Sequence, residues 1–209
     1  MYKLYGRQGW GSALVEAQLV WYGMPYTMEE LGDLFTSAEA REQLAPLNPL
    51  SQVPTLVLLD GRIMTESAAI TLQLADSTAQ RSLVPSPGHP TRPDFLRWLI
   101  FIVANIYPTF TYSDDPKRFV PDAAAAQAFG ANVATYKQRL WRQVDEAAQA
   151  PWFLGQNLSA LDIFIAVMTR WTPRRPWFAG ACPRLTAIAT ATDALPELTK
   201  VWRRNFPPA

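Results

Sequence analysis

The first residues alternate between apolar and polar, Tyr2-Lys3-Leu4-Tyr5, and the rhythm then changes. Alternation at period two sends successive side chains to opposite faces, so this stretch predicts a strand. Gly6 to Gly11 has no apolar period and reads as a loop. From Ser12 the spacing of Leu14, Val15, Ala17, Leu19 and Val20 is that of a helix, which Gly23, Met24 and Pro25 bring to an end. Pro25 to Leu31 predicts a second strand and Ser37 to Leu44 a short helix. The apolar run Thr55 to Leu59 predicts a third strand, and Asp60-Gly61 after it predicts a type I′ hairpin turn into Arg62-Ile63-Met64, because that turn needs positive φ at its central residues. Another helix begins at Ser67, where Ile70, Leu72 and Leu74 recur among alanines with high helix propensity. The order is βαβαββα, which makes residues 1 to 78 one small α/β unit.

Beyond residue 78 the strand rhythm does not return. Pro85, Pro87, Gly88, Pro90 and Pro93 crowd a segment that cannot continue a helix, so 79–93 reads as a linker. Asp94 to Tyr112 carries Phe95, Trp98, Leu99, Phe101, Ile102, Val103 and Ile106 at helical spacing, with Pro108 predicted to kink or end the helix. Ala123 to Ala148 is a second long helical stretch with Phe129, Val133, Tyr136, Leu140 and Val144 on one face. Ser159-Ala160-Leu161-Asp162 has the spacing of a capping box with Asp in the acidic position, and Leu158 with Ile163 forms a staple around it. Asp162 is therefore read as a structural residue. Residues 94–209 are expected to be an all-α domain following the α/β one.

Composition narrows the function classes. Hydrophobic content of 49% and aromatic content of 12% suit a packed globular chain. The 19 basic and 18 acidic residues nearly cancel and no basic stripe is present, so nucleic-acid binding has no electrostatic footprint. One cysteine, Cys182, and one histidine, His89, are too few for an intrachain disulfide or a zinc cluster, and the absence of Cys-x-x-Cys argues against dithiol redox chemistry. Cys182 beside Pro183 reads as packed and His89 as a solvated loop residue. The longest apolar run, Leu96 to Ala104, is broken by Arg97 and too short for a bilayer, and no leader-like stretch opens the sequence. No membrane partner is expected, and the expected compartment is the cytoplasm.

Candidate chemistry gathers around Val53-Pro54 and Glu66-Ser67. X-Pro is the common site of a cis peptide, and a cis Val53-Pro54 bond would leave the Val53 N–H and C=O to pair with an extended peptide by strand addition. Ser67 either caps its helix or, with the helix amides, binds a carboxylate. Glu66 beside it is able to accept from an ammonium. A ligand bearing both an α-amine and an α-carboxylate would be held at both groups.

These motifs carry a resemblance. Asn48 to Leu56 follows the pattern Asn-Pro-x-Gly-x-Val-Pro-x-Leu, and Glu66 to Ile70 the pattern Glu-Ser-x-Ala-Ile, of the thioredoxin-like N-terminal domain of glutathione transferases; the helical second half is similar to that family's C-terminal domain. The resemblance implies a homodimeric transferase that adds the glutathione thiolate to a small apolar electrophile, with glutathione as co-substrate and no metal. It implies that Val53 pairs with the cysteinyl part, that Pro54 fixes that geometry, that Glu66 and Ser67 hold the γ-glutamyl end, and that Gln52 reaches the glycyl end. Ser12 matches the hydroxyl that serine-type members aim at the sulfur, and Tyr5 occupies roughly the place of the tyrosine-type catalyst; plain roles as helix cap and core strand residue stand beside these. Gly11 stands where some bacterial members carry cysteine, and Ser51 replaces the usual glycine. An electrophile pocket between the domains would draw on Trp10, Trp98, Asn105 and Ile106, with Asn105 needing a backbone or ligand partner amid apolar neighbours. The competing readings are a non-catalytic binding protein of the same fold and a glutathione-dependent isomerase or dehalogenase.

Overall fold

Strand β1 (Tyr2–Gly6) occupies an inner position of a four-stranded sheet of order β2-β1-β3-β4 in the computed structural model, which describes residues 1–78 and 82–207. The start of the expected linker, 79–81, lies outside the described residues. β1 runs parallel to β2 (Tyr26–Glu30), with Tyr2 opposite Tyr26 and Gly6 opposite Glu30. It runs antiparallel to β3 (Thr55–Val57), where Tyr5 faces Thr55, and β3 is antiparallel to β4 (Ile63–Met64), where Leu56 faces Met64. Helix α1 (Ser12–Trp21) links β1 to β2, α2 (Ala38–Leu44) precedes β3, and α3 (Ser67–Asp76) follows β4. The alternation read from the sequence explains the packing. Tyr2 and Leu4 on one face of β1 meet Val15 and Leu19, one turn apart on α1, and Ile70 and Leu74, one turn apart on α3. Tyr5, pointing the other way, packs on a second cluster of Leu31, Leu34, Ala40 and Leu44. Gln18 Nε2 donates to Thr71 Oγ1 at 3.0 Å and pins α1 to α3.

The hairpin between β3 and β4 differs from the expected two-residue turn. Gly61 N–H donates to Leu58 C=O at 3.0 Å, Leu58 N–H donates to Arg62 C=O at 2.8 Å, and of Asp60 and Gly61 only Gly61 has positive φ, at +85°. This is a three-residue loop ending in a left-handed glycine bulge. Asp60 serves it with its carboxylate, which accepts from Arg62 N–H at 3.1 Å and Arg62 Nε at 2.7 Å.

The described contacts gather into two compact units, Met1–Ser86 with Ala191–Ala209, and Pro87–Thr190. The terminal helix α10 (Thr199–Asn205), in the part of the sequence expected to form the all-α domain, packs with the first unit. In the second unit the helical stretch over 94–112, expected to kink or end at Pro108, is divided into α4 (Arg92–Phe101), a π-helical turn over Ile102–Ile106, and α5 (Tyr107–Asp114). Pro108 has no N–H to give and its ring crowds the preceding turn, and the backbone widens just before it, Tyr107 N–H donating to Ile102 C=O. The same unit holds α6 (Ala123–Ala147), α7 (Ala160–Met168), α8 (Arg175–Ala181) and most of α9 (Pro183–Asp193). Every residue of α7 is buried, which accounts for its almost unbroken apolar sequence. The last helix, α10 (Thr199–Asn205), packs on α1 together with the turn Pro196–Leu198.

Lys137 on α6 is a charge in an apolar setting. Its Nζ donates to Thr172 Oγ1 at 3.1 Å and lies 4.1 Å from the Phe110 ring centre, and burial pushes its pKa down to about 8, opposed by the Asp114 carboxylate. Above pH 8 the native lysine sheds a proton that the unfolded chain keeps until about 10.4. Stability contributed at this position is therefore expected to rise with pH between those values, by at most about 3 kcal/mol and, with partial solvent screening, by about 1–2 kcal/mol. Urea midpoints measured across that range check this: the rise is expected to vanish in Lys137→Met, and an equal rise in both proteins would refute it.

Candidate functional site

Strand register brings the sequence-predicted residues of the first unit to one end of the sheet. Tyr5 faces Thr55, so the loop after Gly6 and the Val53-Pro54 step before Thr55 leave the sheet at the same end. Met64 faces Leu56, so the chain reaches Glu66 and Ser67 at that end two residues later. Three segments far apart in sequence therefore meet there: the loop 7–11, the segment 48–54, and the start of α3.

The second of these segments is shaped by Asn48. Its amide donates to Gln52 C=O at 2.9 Å and to Thr55 Oγ1 at 3.2 Å, and its Oδ1 accepts from Leu50 N–H at 3.1 Å. Thr55 Oγ1 in turn donates to Gln52 C=O at 2.9 Å. The chain is thereby held while the Val53-Pro54 bond is cis and Pro54 is buried. Among the described residues neither the N–H nor the C=O of Val53 takes a hydrogen bond, and its side chain packs on the same small cluster as Tyr5 and Trp10. Gln52 is exposed and its side chain makes no hydrogen bond to the described residues. Ser51 has φ of +49°, a region that favours glycine, which gives a physical reason for the glycine of the resembled pattern. Asn48 and Thr55 have structural roles that no motif announces; the signal in the sequence is a polar residue on either side of an X-Pro turn.

At the start of α3, Glu66 is held at φ +63° and ψ +103°, a sparsely populated conformation for a residue with a side chain. The helix has no side-chain cap, and its first turn contains no acidic residue. The amides of Ser67, Ala68 and Ala69 are the unpaired donors of a helix start, and the Ser67 hydroxyl, in a residue only 8% exposed, takes no hydrogen bond among the described residues. Ser67 is thus not the cap of its own helix. An uncapped N-terminus with a spare hydroxyl is arranged to receive a carboxylate.

The loop 7–11 is folded around Ser12. Ser12 Oγ accepts from Arg7 N–H at 3.1 Å and donates to Arg7 C=O at 3.1 Å, and Trp10 N–H donates to that same carbonyl at 3.1 Å. The residue is 1% exposed, and a Cβ placed on Gly6 would collide with it, so the serine occupies the space that glycine leaves. Tyr5 is half-buried, and among the described residues its hydroxyl is without a hydrogen bond. Trp10 is half-buried, its ring 5.0 Å from that of Phe35 and 5.5 Å from the Arg7 guanidinium.

The remaining predicted residues lie in the second unit. Trp98 is buried against Phe101 and Phe153, with ring centres at 5.1 and 5.8 Å, and Ile106 is fully buried. Asn105 finds its partner within its own helix: the side-chain amide donates to Phe101 C=O at 3.2 Å, inside the π-helical turn. Burial, with the Asp145 carboxylate adding to it, pushes the Cys182 thiol up to about 12, so it is not a nucleophile at neutral pH.

Comparison with known proteins bears on the whole chain. Residues 15–77 match the N-terminal domain of glutathione S-transferases. The sequence is 38% identical to the "uncharacterized GST-like protein YncG" of Escherichia coli K12 over 98% of each chain. It is 27% identical to the glutathione S-transferase GstA of Escherichia coli O157:H7 over 81% of each. A solved glutathione transferase homologue from Sulfitobacter, with bound glutathione, has the same fold, with a TM-score of 0.86 at 20% identity over 96% of both chains.

Proposed function

The chain belongs to the glutathione S-transferase family, and from that premise we propose that it binds glutathione at the described end of its sheet and transfers the thiolate to a small apolar electrophile. The observation that carries this reading is that the unpaired Val53 backbone and the uncapped start of α3 with its spare Ser67 hydroxyl share one end of one sheet. The Val53 N–H and C=O pair with the cysteinyl segment as an added strand would. Ser67 and the first amides of α3 hold the γ-glutamyl carboxylate, Glu66 its ammonium, and the exposed Gln52 reaches the glycyl end. With both ends fixed, the sulfur lies over the loop 7–11 and the start of α1.

The thiol is activated there by loss of its proton to solvent and by a donor that stabilises the anion. Ser12 can turn its hydroxyl proton from Arg7 C=O to the sulfur without orphaning that carbonyl, because Trp10 N–H also donates to it. Arg7 N–H continues to donate to Oγ and strengthens the outgoing bond. A thiolate is the better acceptor of the two, since hydrogen bonds to charged groups are roughly twice as strong as neutral ones. Tyr5 offers the second hydroxyl in reach of this end of the sheet. The thiolate then attacks the electrophile, forming a carbon–sulfur bond while a leaving group departs or the product takes a proton from water. The half-buried Trp10 lends an apolar surface for that substrate.

One observation favours a second reading, a binding protein without turnover: the Ser12 hydroxyl is engaged on both sides by Arg7. Isomerisation or reductive dehalogenation would use the same glutathione site. Calorimetry tests the glutathione site, and turnover assays separate transfer from binding alone. Glutathione is expected to bind with a dissociation constant in the millimolar range or tighter, and Ser67→Ala to weaken it about tenfold, the loss of one hydrogen bond to a charged group. Absence of heat with millimolar glutathione refutes the proposal, and binding without turnover on any chloronitroaromatic, epoxide or unsaturated carbonyl favours the second reading.

A further inference from the structure

We propose that the C-terminal helix α10 acts as a brace for the loop 7–11, with Asn205 and Arg204 as positioning residues for the thiolate site; this rests on the function proposed above. Two chains of polar contacts run from α10 to the loop. In one, Gly9 N–H donates to Asn205 Oδ1 at 3.2 Å, and Asn205 Nδ2 donates to Glu16 Oε2 at 2.7 Å. In the other, Arg204 Nη1 reaches Glu16 Oε1 at 2.8 Å and its Nη2 reaches Glu30 Oε2 at 3.0 Å, while Glu30 Oε1 accepts from Gln8 N–H at 2.8 Å. Two consecutive loop amides, Gln8 and Gly9, are thus tied to one helix from near the opposite end of the chain.

Glu16 makes the brace specific to the chemistry. It lies on α1 one turn beyond Ser12, is 2% exposed, and is the single charged residue of that helix. Arg204, Asn205 and the Tyr26 hydroxyl, at 2.8 Å, all donate to its carboxylate, so the buried charge is fully answered. The helix α10 therefore grips both sides of the joint at Ser12: the helix after it through Glu16, and the loop before it through Gln8 and Gly9. Gly9 fits this close approach, with φ of +76° and room for a Cβ only 3.3 Å from Asn205 C=O. A donor aimed at a thiolate loses its effect when displaced by a fraction of an ångström to an ångström, so a satisfied polar frame around the loop has a function beyond stability.

The test is Asn205→Ala in the full chain, read by glutathione calorimetry, steady-state kinetics and the ultraviolet absorbance of the bound thiolate across pH. Glutathione affinity is expected to stay within about twofold, because Val53 and Ser67 are untouched, while kcat falls about tenfold and the pH at which bound thiol ionises rises by about one unit. Amide exchange at Gln8 and Gly9 is expected to accelerate. If Asn205→Ala does not fold, Arg204→Met, whose side chain is 34% exposed, removes the second chain alone and is expected to shift ionisation in the same direction by less, with Arg204→Lys between it and wild type. Unchanged kcat and unchanged thiol ionisation in a folded variant overturn the brace while leaving the glutathione site intact. A wild-type protein that takes up no glutathione overturns both.

Discussion

Replacing Ser12 with alanine is expected to lower kcat for glutathione conjugation between about tenfold and a hundredfold near neutral pH, the kinetic equivalent of one hydrogen bond to a charged group, about 1.5–3 kcal/mol. The Michaelis constant for glutathione is expected to change by less than about twofold, since the peptide is held by Val53 and the start of α3. The pH profile distinguishes a thiol-activating hydroxyl from a mere loop fastener. A free thiol ionises near 8.5, so the deficit of Ser12→Ala is expected to shrink as pH rises toward about 9, where water removes the proton unaided. A fastener would leave a deficit that does not depend on pH. Tyr5→Phe is the paired control, expected to stay within about threefold of wild type because its ring belongs to the cluster under Leu31, Leu34, Ala40 and Leu44. A larger loss in Tyr5→Phe than in Ser12→Ala moves the assignment to the phenol, and wild-type kinetics in both exclude a hydroxyl donor.

What was readable in the sequence was local. The alternation of Tyr2 to Tyr5, the one-turn spacing of Val15 with Leu19 and of Ile70 with Leu74, and the punctuation by Gly23, Pro25 and Asp60-Gly61 are short-range signals, and the elements they predict form the sheet and helices of the first unit. Short-range signals were incomplete in two places. Asp60-Gly61 is compatible with more than one hairpin loop, and only the bonds to Leu58 select the three-residue one. Pro108 announced a break in its helix, but the periodicity before it did not contain the backbone's answer, a widened turn over Ile102–Ile106 in which Asn105 is satisfied by Phe101.

The candidate site was legible where a motif is itself a local structure. Val53-Pro54 and Glu66-Ser67 each dictate a backbone shape within two or three residues, and β-register then brings them together. The environment of Ser12 was not legible, because the serine's bonds return to Arg7 and its space is created by Gly6, neither of which has a pattern of its own. The brace was further out of reach. Glu16 in the middle of Leu14 to Val20 was the one visible charge, where periodicity wants an apolar residue, and while Tyr26 is ten positions away its other two partners stand 188 and 189 positions away. A buried charge in an amphipathic helix therefore signals that a partner exists, while the partner's identity is a tertiary fact.

Replacing Asp162 with alanine is expected to cost about 3–5 kcal/mol, far more than an ordinary exposed cap, because this carboxylate is completely buried and receives three donors. Ser159 N–H and Phe153 N–H each donate at 2.7 Å and the Ser159 hydroxyl at 3.0 Å. Alanine leaves two amides buried without an acceptor. It also frees Phe153, whose ring is packed edge-on against Trp98. The urea midpoint is expected to fall with an unchanged slope, and a loss below about 1 kcal/mol would mean that water reaches the orphaned amides. Asp162→Asn separates charge from hydrogen bonding. Burial pushes the Asp162 pKa up to about 6 against the three donors, which act to lower it. Between about pH 4 and 6 the native protein then holds a proton that the unfolded chain has released, so stability from this group declines as pH rises through that window and levels off above it. The margin of wild type over Asp162→Asn is expected to narrow over the same interval. A margin that widens instead would show that the three donors outweigh the cost of burial, and would make the carboxylate, like Glu16, a charge that the fold fully accommodates.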